Sequence, residues 1–84
     1  MQIVYVLQSA KDNNLYIGCT SNLKNRLISH LSGRVLSTKS RLPLKLVYKE
    51  EYTDKYEAYR MERFYKTAVG KRVLRKNINN WGIV

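Results

Sequence analysis

The 84-residue chain is too short for two hydrophobic cores, so one domain over 1–84 is expected, with a core over 2–76 and a tail over 77–84. A chain of this size buries roughly 60–65% of its unfolded surface, and its 44% hydrophobic share argues against a wholly disordered chain. Sixteen Lys and Arg against six Asp and Glu leave a net charge of +10, which points to a polyanionic partner. No long helix here sets a basic face against a bulky apolar one, so nucleic acid is favoured over an anionic membrane. A merely solubilising charge is the plainer alternative.

Cys19 is the single cysteine, which excludes an intramolecular disulfide and leaves a Cys-based zinc site with one ligand. The longest apolar run, Ile3 to Leu7, is too short to span a bilayer, and no signal peptide is recognisable. A reducing, cytoplasmic setting is the expectation.

Gln2 to Leu7 (QIVYVL) is β-branched and aromatic without a polar face, as expected of a central strand buried on both sides. Lys11 to Asn14 has turn chemistry, and Leu15 to Gly18 reads as the strand that closes a hairpin. Across such a turn Tyr5 and Tyr16 should project from one face. A first helix is expected over Thr20 to Gly33, capped by Thr20 or Ser21 and ended by Gly33. Its apolar stripe is Leu23, Leu27, Ile28 and Leu31, with Arg26 and His30 stacked on the shoulder.

Val35 to Leu42 reads as a basic loop, and Pro43 to Tyr52 as a third strand alternating Leu44, Leu46 and Tyr48 against Lys45, Val47 and Lys49. Thr53 to Val69 is predicted as one long helix. Asp54 and Glu57 form its capping box, Ala58, Met61, Tyr65 and Val69 its core face, and Gly70 its stop. The segment from Lys71 onward is basic and at most briefly helical; Asn77 to Val84 has no clear pattern.

Glu62 falls inside the stripe that should be apolar, where an unpaired carboxylate is costly. Lys66, about 40° round the helix, offers the plainer solution as an i,i+4 partner; a bound cation is the other. Tyr5, Tyr16, Gly18, Arg26 and His30 are each unremarkable alone. With Glu62, in a basic domain, they make a phosphodiester-cleaving inventory. The carboxylate would hold a divalent ion, the guanidinium would stabilise phosphate charge, and a phenol with a lowered pKa would act as base.

At these residues the chain resembles the GIY-YIG nuclease superfamily. The first signature appears as Ile3-Val4-Tyr5 and the second, intact, as Tyr16-Ile17-Gly18. Arg26 stands eight residues past Gly18, His30 four beyond it, and Glu62 on a later helix. More narrowly it is similar to small standalone members related to the nuclease domain of excinuclease C, through Thr38, Arg41, Pro43 and Leu46-Val47-Tyr48. Cys19 stands where many relatives place lysine, and Leu74 where many carry asparagine, with Asn77 out of register.

The resemblance implies an α+β fold, a small three-stranded antiparallel sheet flanked by helices, that hydrolyses DNA with one Mg²⁺ or Mn²⁺. Tyr5 would activate or orient water with support from Tyr16, and Gly18 would permit close packing. Arg26 and His30 would contact the scissile phosphate or leaving group, and Glu62 would bind the metal. Arg26, Lys39, Arg41 and Lys66 are the expected nucleic-acid contacts. DNA is the expected partner, with RNA left open. The alternative is a basic nucleic-acid-binding module of the same fold with weak or no catalysis; a purely structural role is a third.

Overall fold

The computed structural model describes residues 1–81; of the expected tail, 82–84 lie outside the described residues. Three strands, β1 (Gln2–Ser9), β2 (Leu15–Thr20) and β3 (Leu44–Tyr52), form an antiparallel sheet of order β2-β1-β3. Helices α1 (Leu23–Leu31) and α2 (Leu36–Lys39) separate β2 from β3, and α3 (Lys55–Tyr65) and α4 (Ala68–Trp81) follow. The α+β architecture with a three-stranded antiparallel sheet is the expected one. None of the described helices is long and apolar enough to cross a membrane.

The apolar run of β1 takes the centre of the sheet and is buried on both faces. Because side chains alternate, Val4 and Val6 join Ile17, Ala58, Tyr65 and Leu74 under α3 and α4. Tyr5 and Leu7 point the other way, with Leu44 and the flanking Leu23, Leu27, Leu42 and Leu46. The hairpin register pairs Tyr5 with Gly18 and Leu7 with Tyr16, which puts Tyr5 and Tyr16 on one face as expected.

The alternation expected of β3 is broken. Pairing shifts between Val6–Tyr48 and Leu7–Leu46, and the extra residue, Val47, is accommodated as a bulge. Leu44 and Leu46 therefore pack with Tyr5 and Leu7, while Tyr48 and Tyr52 pack under α3 and α4. A period-two reading cannot see the insertion, because it changes the parity of everything beyond it.

Several helix boundaries and faces also differ from expectation. Thr20 is still paired in β2, so α1 starts later and Asn22 caps it, its side-chain oxygen accepting from Asn25 N at 3.1 Å. Gly33, at φ +78°, ends α1 as expected. Ile28 and Leu31 are half exposed, and the fully buried residue of α1 is His30. The expected loop over 35–42 contains the single turn α2, which buries Thr38.

The long second helix is two helices meeting at Lys66 and Thr67. Asp54 caps α3 by accepting from Tyr56 N at 2.9 Å. Gly70 does not stop a helix; it lies in the first turn of α4, where an added Cβ would stand 1.7 Å from the Phe64 carbonyl oxygen. It is the crossing point of α3 and α4, and Val69 turns outward, 55% exposed. From there α4 runs on to Trp81, burying Leu74 and half-burying Asn77 and Ile78.

Glu50 organises the α3 side of the sheet. Its carboxylate accepts from Tyr48 Oη at 2.5 Å, Tyr52 Oη at 2.7 Å and Tyr65 Oη at 2.7 Å, tying α3 to β3. Burial first, and then the Glu50 charge, push all three phenols up, Tyr48 to about 12. Phenols raised in the fold contribute stability that is complete below pH 10 and lost as pH climbs through the raised values. Glu50→Gln is expected to cost about 1–3 kcal/mol at neutral pH, from loss of charge-assisted hydrogen bonds. It should also move the Tyr48 titration back toward 10, read by tyrosinate absorbance; an unchanged titration would contradict the assigned role.

Candidate active site

Tyr5 leaves the middle of β1, and its ring lies directly over Gly18 on β2. A Cβ built on Gly18 would fall 2.4 Å from both Cζ and Oη of Tyr5, so only glycine lets the phenol cross the strand here. The phenol ends among groups from α1. Tyr5 Oη and His30 Nε2 are 3.0 Å apart, and Arg26 Nε donates to the same oxygen at 3.3 Å. One helical turn separates Arg26 from His30, so one face of α1 delivers both to one atom. Tyr16 completes the cluster, with its ring 6.5 Å from that of Tyr5 and 5.1 Å, edge-on, from that of His30.

Behind His30 stands Thr38. His30 Nδ1 and Thr38 Oγ1 are 2.8 Å apart, and Thr38 Oγ1 also donates to Val35 O at 3.5 Å. With the threonine hydrogen turned to that carbonyl, its lone pair receives Nδ1–H. Nε2 is left as the acceptor for the Tyr5 hydroxyl. His30 and Thr38 have no exposed surface and Tyr5 only 1%, whereas Arg26 is exposed and Tyr16 half-buried.

This burial separates the parts expected of Arg26 and His30. Arg26 faces solvent and can meet a phosphate; His30 is enclosed, with both ring nitrogens engaged by Tyr5 and Thr38. Without a cation, burial works against the lowering expected of the phenol. Desolvation raises Tyr5, and the hydrogen bond and charge of Arg26 offset it only in part. The same burial, helped by the Arg26 charge, holds His30 below its ordinary value. At neutral pH the pair is therefore a phenol donating to a neutral imidazole.

Glu62, on α3, is half-buried and pairs with Lys66 at 3.3 Å, the i,i+4 partner anticipated from spacing. Its charge is a minor contribution to raising the Tyr5 phenol and the Cys19 thiol, after desolvation by burial. Among the described residues no three His, Cys, Asp or Glu side chains gather into a metal cage. A single half-buried carboxylate fits a Mg²⁺-type ion, which keeps waters and takes substrate oxygens for its remaining ligands, and not a cage of protein ligands.

Lys39 is exposed next to Thr38, but Arg41 lies elsewhere, in a groove with Asn14, Lys71 and Arg75. Leu74 is fully buried core, so no polar group replaces the asparagine there; Asn77, nearby on α4, adjoins the Tyr48 phenol instead. Thr38 entered the sequence reading only through the family resemblance; its bond to His30 appears only in the structure.

The only histidine in the chain gives an unambiguous probe. Its imidazole is expected to titrate below 6.5 by NMR. A histidine kept neutral in the fold contributes stability that is present above about pH 6.5 and lost as pH falls through the lowered value. Thr38→Val should cost about 1–3 kcal/mol by stranding a buried N–H. Thermal unfolding of the variant checks it, and an unchanged Tm would exclude the Thr38–His30 bond.

The profile of the GIY-YIG catalytic domain family matches residues 1–79, which include every residue of this cluster. A UPF0213 protein of Streptococcus agalactiae is 42% identical over 64 residues, covering 75% of this chain and 72% of its own length. A UPF0213 protein of Staphylococcus haemolyticus is 43% identical over 65 residues, covering 76% and 78%. A UPF0213 protein of Bacillus halodurans, solved by solution NMR, is similar in fold at a TM-score of 0.58 and 32% identity, over 90% of this chain and 84% of that one. With the signature tyrosines, glycine, arginine and histidine gathered at one point of the sheet, these likenesses make the chain a member of the GIY-YIG catalytic domain family.

Proposed function

We propose that this chain is a divalent-metal-dependent endonuclease that hydrolyses DNA phosphodiester bonds, with the Tyr5–His30 pair as its proton acceptor. The observation that carries the reading is the chain of contacts from Thr38 through His30 to Tyr5, with Arg26 on the phenol oxygen. A buried phenol of raised pKa is a poor base alone. Handing its proton to a neutral imidazole as it takes one from water removes the need for a standing phenolate.

In the proposed step, water attacks phosphorus and the bond to the leaving oxygen breaks. The water proton passes to Tyr5 Oη while the Tyr5 proton passes to His30 Nε2. The leaving oxygen takes a proton from solvent. Arg26, exposed at its tip, stabilises the charge that gathers on the phosphate, and Tyr16 packs the imidazole in place. Glu62 would hold the divalent ion in place of its Lys66 partner, and the ion would supply charge neutralisation to the reacting phosphate. Lys39 and Lys66, both exposed, are left to meet the nucleic-acid backbone.

The second reading, a binding module with little catalysis, is favoured by the Glu62–Lys66 pair and by Leu74 in the core. Labelled single-stranded, duplex and branched DNA, incubated with Mg²⁺, Mn²⁺ or EDTA, separates the two. Cleavage with metal and none with EDTA is expected, lost in Glu62→Ala and reduced about 10²–10⁴-fold in Tyr5→Phe. Binding without cleavage on every substrate would select the second reading, and cleavage surviving Glu62→Ala would sink the metal site.

The rate should also carry an acidic limb. Because His30 must be neutral to accept the proton, activity is expected to fall as pH drops through its lowered pKa and to be level above it. A profile that rises toward acid would contradict the role given to His30.

A further inference from the structure

A second cluster of cations lies at the closed end of the β1–β2 hairpin, away from Tyr5. Two adjoining clefts open there between the hairpin and α4, of about 250 and 230 Å³, sharing Leu15 and Arg75 along their walls. Arg41, Lys71 and Arg75 line the second cleft with Asn14, and Asn79 lines the first. Lys71, Arg75 and Asn79 recur at four-residue intervals, so one face of α4 presents all three.

Two observations set this cluster apart from scattered surface charge. The cations come from opposite layers. Arg41 is half-buried, and its carbonyl accepts from the fully buried Ser9 hydroxyl at 2.6 Å, while Lys71 and Arg75 ride on the helix packed against the other face. They also lack acidic partners. The ion pairs among the described residues are Lys49–Glu51 and Lys66–Glu62, so neither Arg41, Lys71 nor Arg75 is neutralised within 4.0 Å. The exposed Asp12 feels the Arg41 charge but accepts from Asn14 N at 2.9 Å. Lys71 and Arg75 at i,i+4 repel each other, a strain that a bound anion relieves.

We infer that the groove of Arg41, Lys71 and Arg75 is an anchoring site for a backbone phosphate of the nucleic acid, outside the catalytic cluster. Asn14 and Asn79 supply amides at its rim. Leu15 precedes Tyr16 directly, and the strand rise of about 3.3 Å per residue puts the groove roughly 10 Å along β2 from Gly18. Leu15 faces the α3–α4 side and Tyr16 the other. A strand of nucleic acid that touches both places therefore rounds the hairpin end, where Arg41 is tied through Ser9 to the Tyr5 side. Arginine suits this position because its planar fork grips two phosphate oxygens. The inference rests on the nucleic-acid reading above but not on catalysis.

The test is equilibrium binding of a fluorescent single-stranded oligonucleotide in EDTA over a series of salt concentrations. The double variant Lys71→Gln/Arg75→Gln is set beside Lys55→Gln/Arg60→Gln, which removes the same charge from α3. The groove variant is expected to bind about fivefold to twentyfold more weakly, with a salt slope lower by about 0.7 for each phosphate it no longer neutralises. The α3 control should stay within about twofold, and Arg75→Lys should recover part of the affinity. Matching unfolding midpoints exclude a folding defect. Equal weakening in both double variants would reduce the groove to diffuse charge and overturn the proposal. So would inorganic phosphate perturbing the Asn79 and Arg75 amides by NMR while oligonucleotide affinity is unmoved, since the site would then be one for free anions. Cleavage is scored separately: binding lost in the groove variant of an inactive protein supports the groove and sinks only the endonuclease reading.

Discussion

Strand β1 is covered on both faces, and its alternating side chains therefore serve two separate layers. Val4 and Val6 face α3 and α4 and supply the apolar area that holds those helices to the sheet. Tyr5, between them, points to the opposite layer and carries the one polar atom on which Arg26 and His30 converge. A strand exposed on the Tyr5 face would solvate that phenol. Here the neighbouring valines make the position rigid, and the burial sets the protonation states of both Tyr5 and His30.

Close approach is the second constraint. The Tyr5 ring reaches α1 only because Gly18 leaves its strand bare beneath the phenol, and α4 crosses α3 only because Gly70 leaves room for the Phe64 carbonyl. Both glycines act through the absence of a side chain, and neither has a positive φ. Gly33 is the contrasting case, chosen for its left-handed backbone at the end of α1. Three glycines thus serve two different physical purposes.

Two carboxylates show how position decides chemistry. Glu50 is saturated by three phenols and serves to bind β3 to α3; such an acceptor has little capacity left for a ligand. Glu62 has one partner, an exposed and flexible lysine, and remains open to exchange. In a chain of net charge +10 the few acids are not interchangeable.

The sequence by itself determined the central strand, the hairpin, the shared face of Tyr5 and Tyr16 and the end of α1 at Gly33. Each of these follows from local periodicity or from a single backbone requirement. It also carried the family signature, because those residues keep a set order and spacing. Only the tertiary structure decided the rest. The bulge at Val47 reversed which face Tyr48 occupies, and Gly70 proved to be a crossing rather than a stop, since a glycine looks the same in sequence whichever it serves. Thr38 became the support of His30, and Tyr65 joined Tyr48 and Tyr52 on Glu50, through contacts between separate elements of the chain. Those contacts leave no periodic trace, and burial, which sets the charge states at the site, is a property of the whole packed fold.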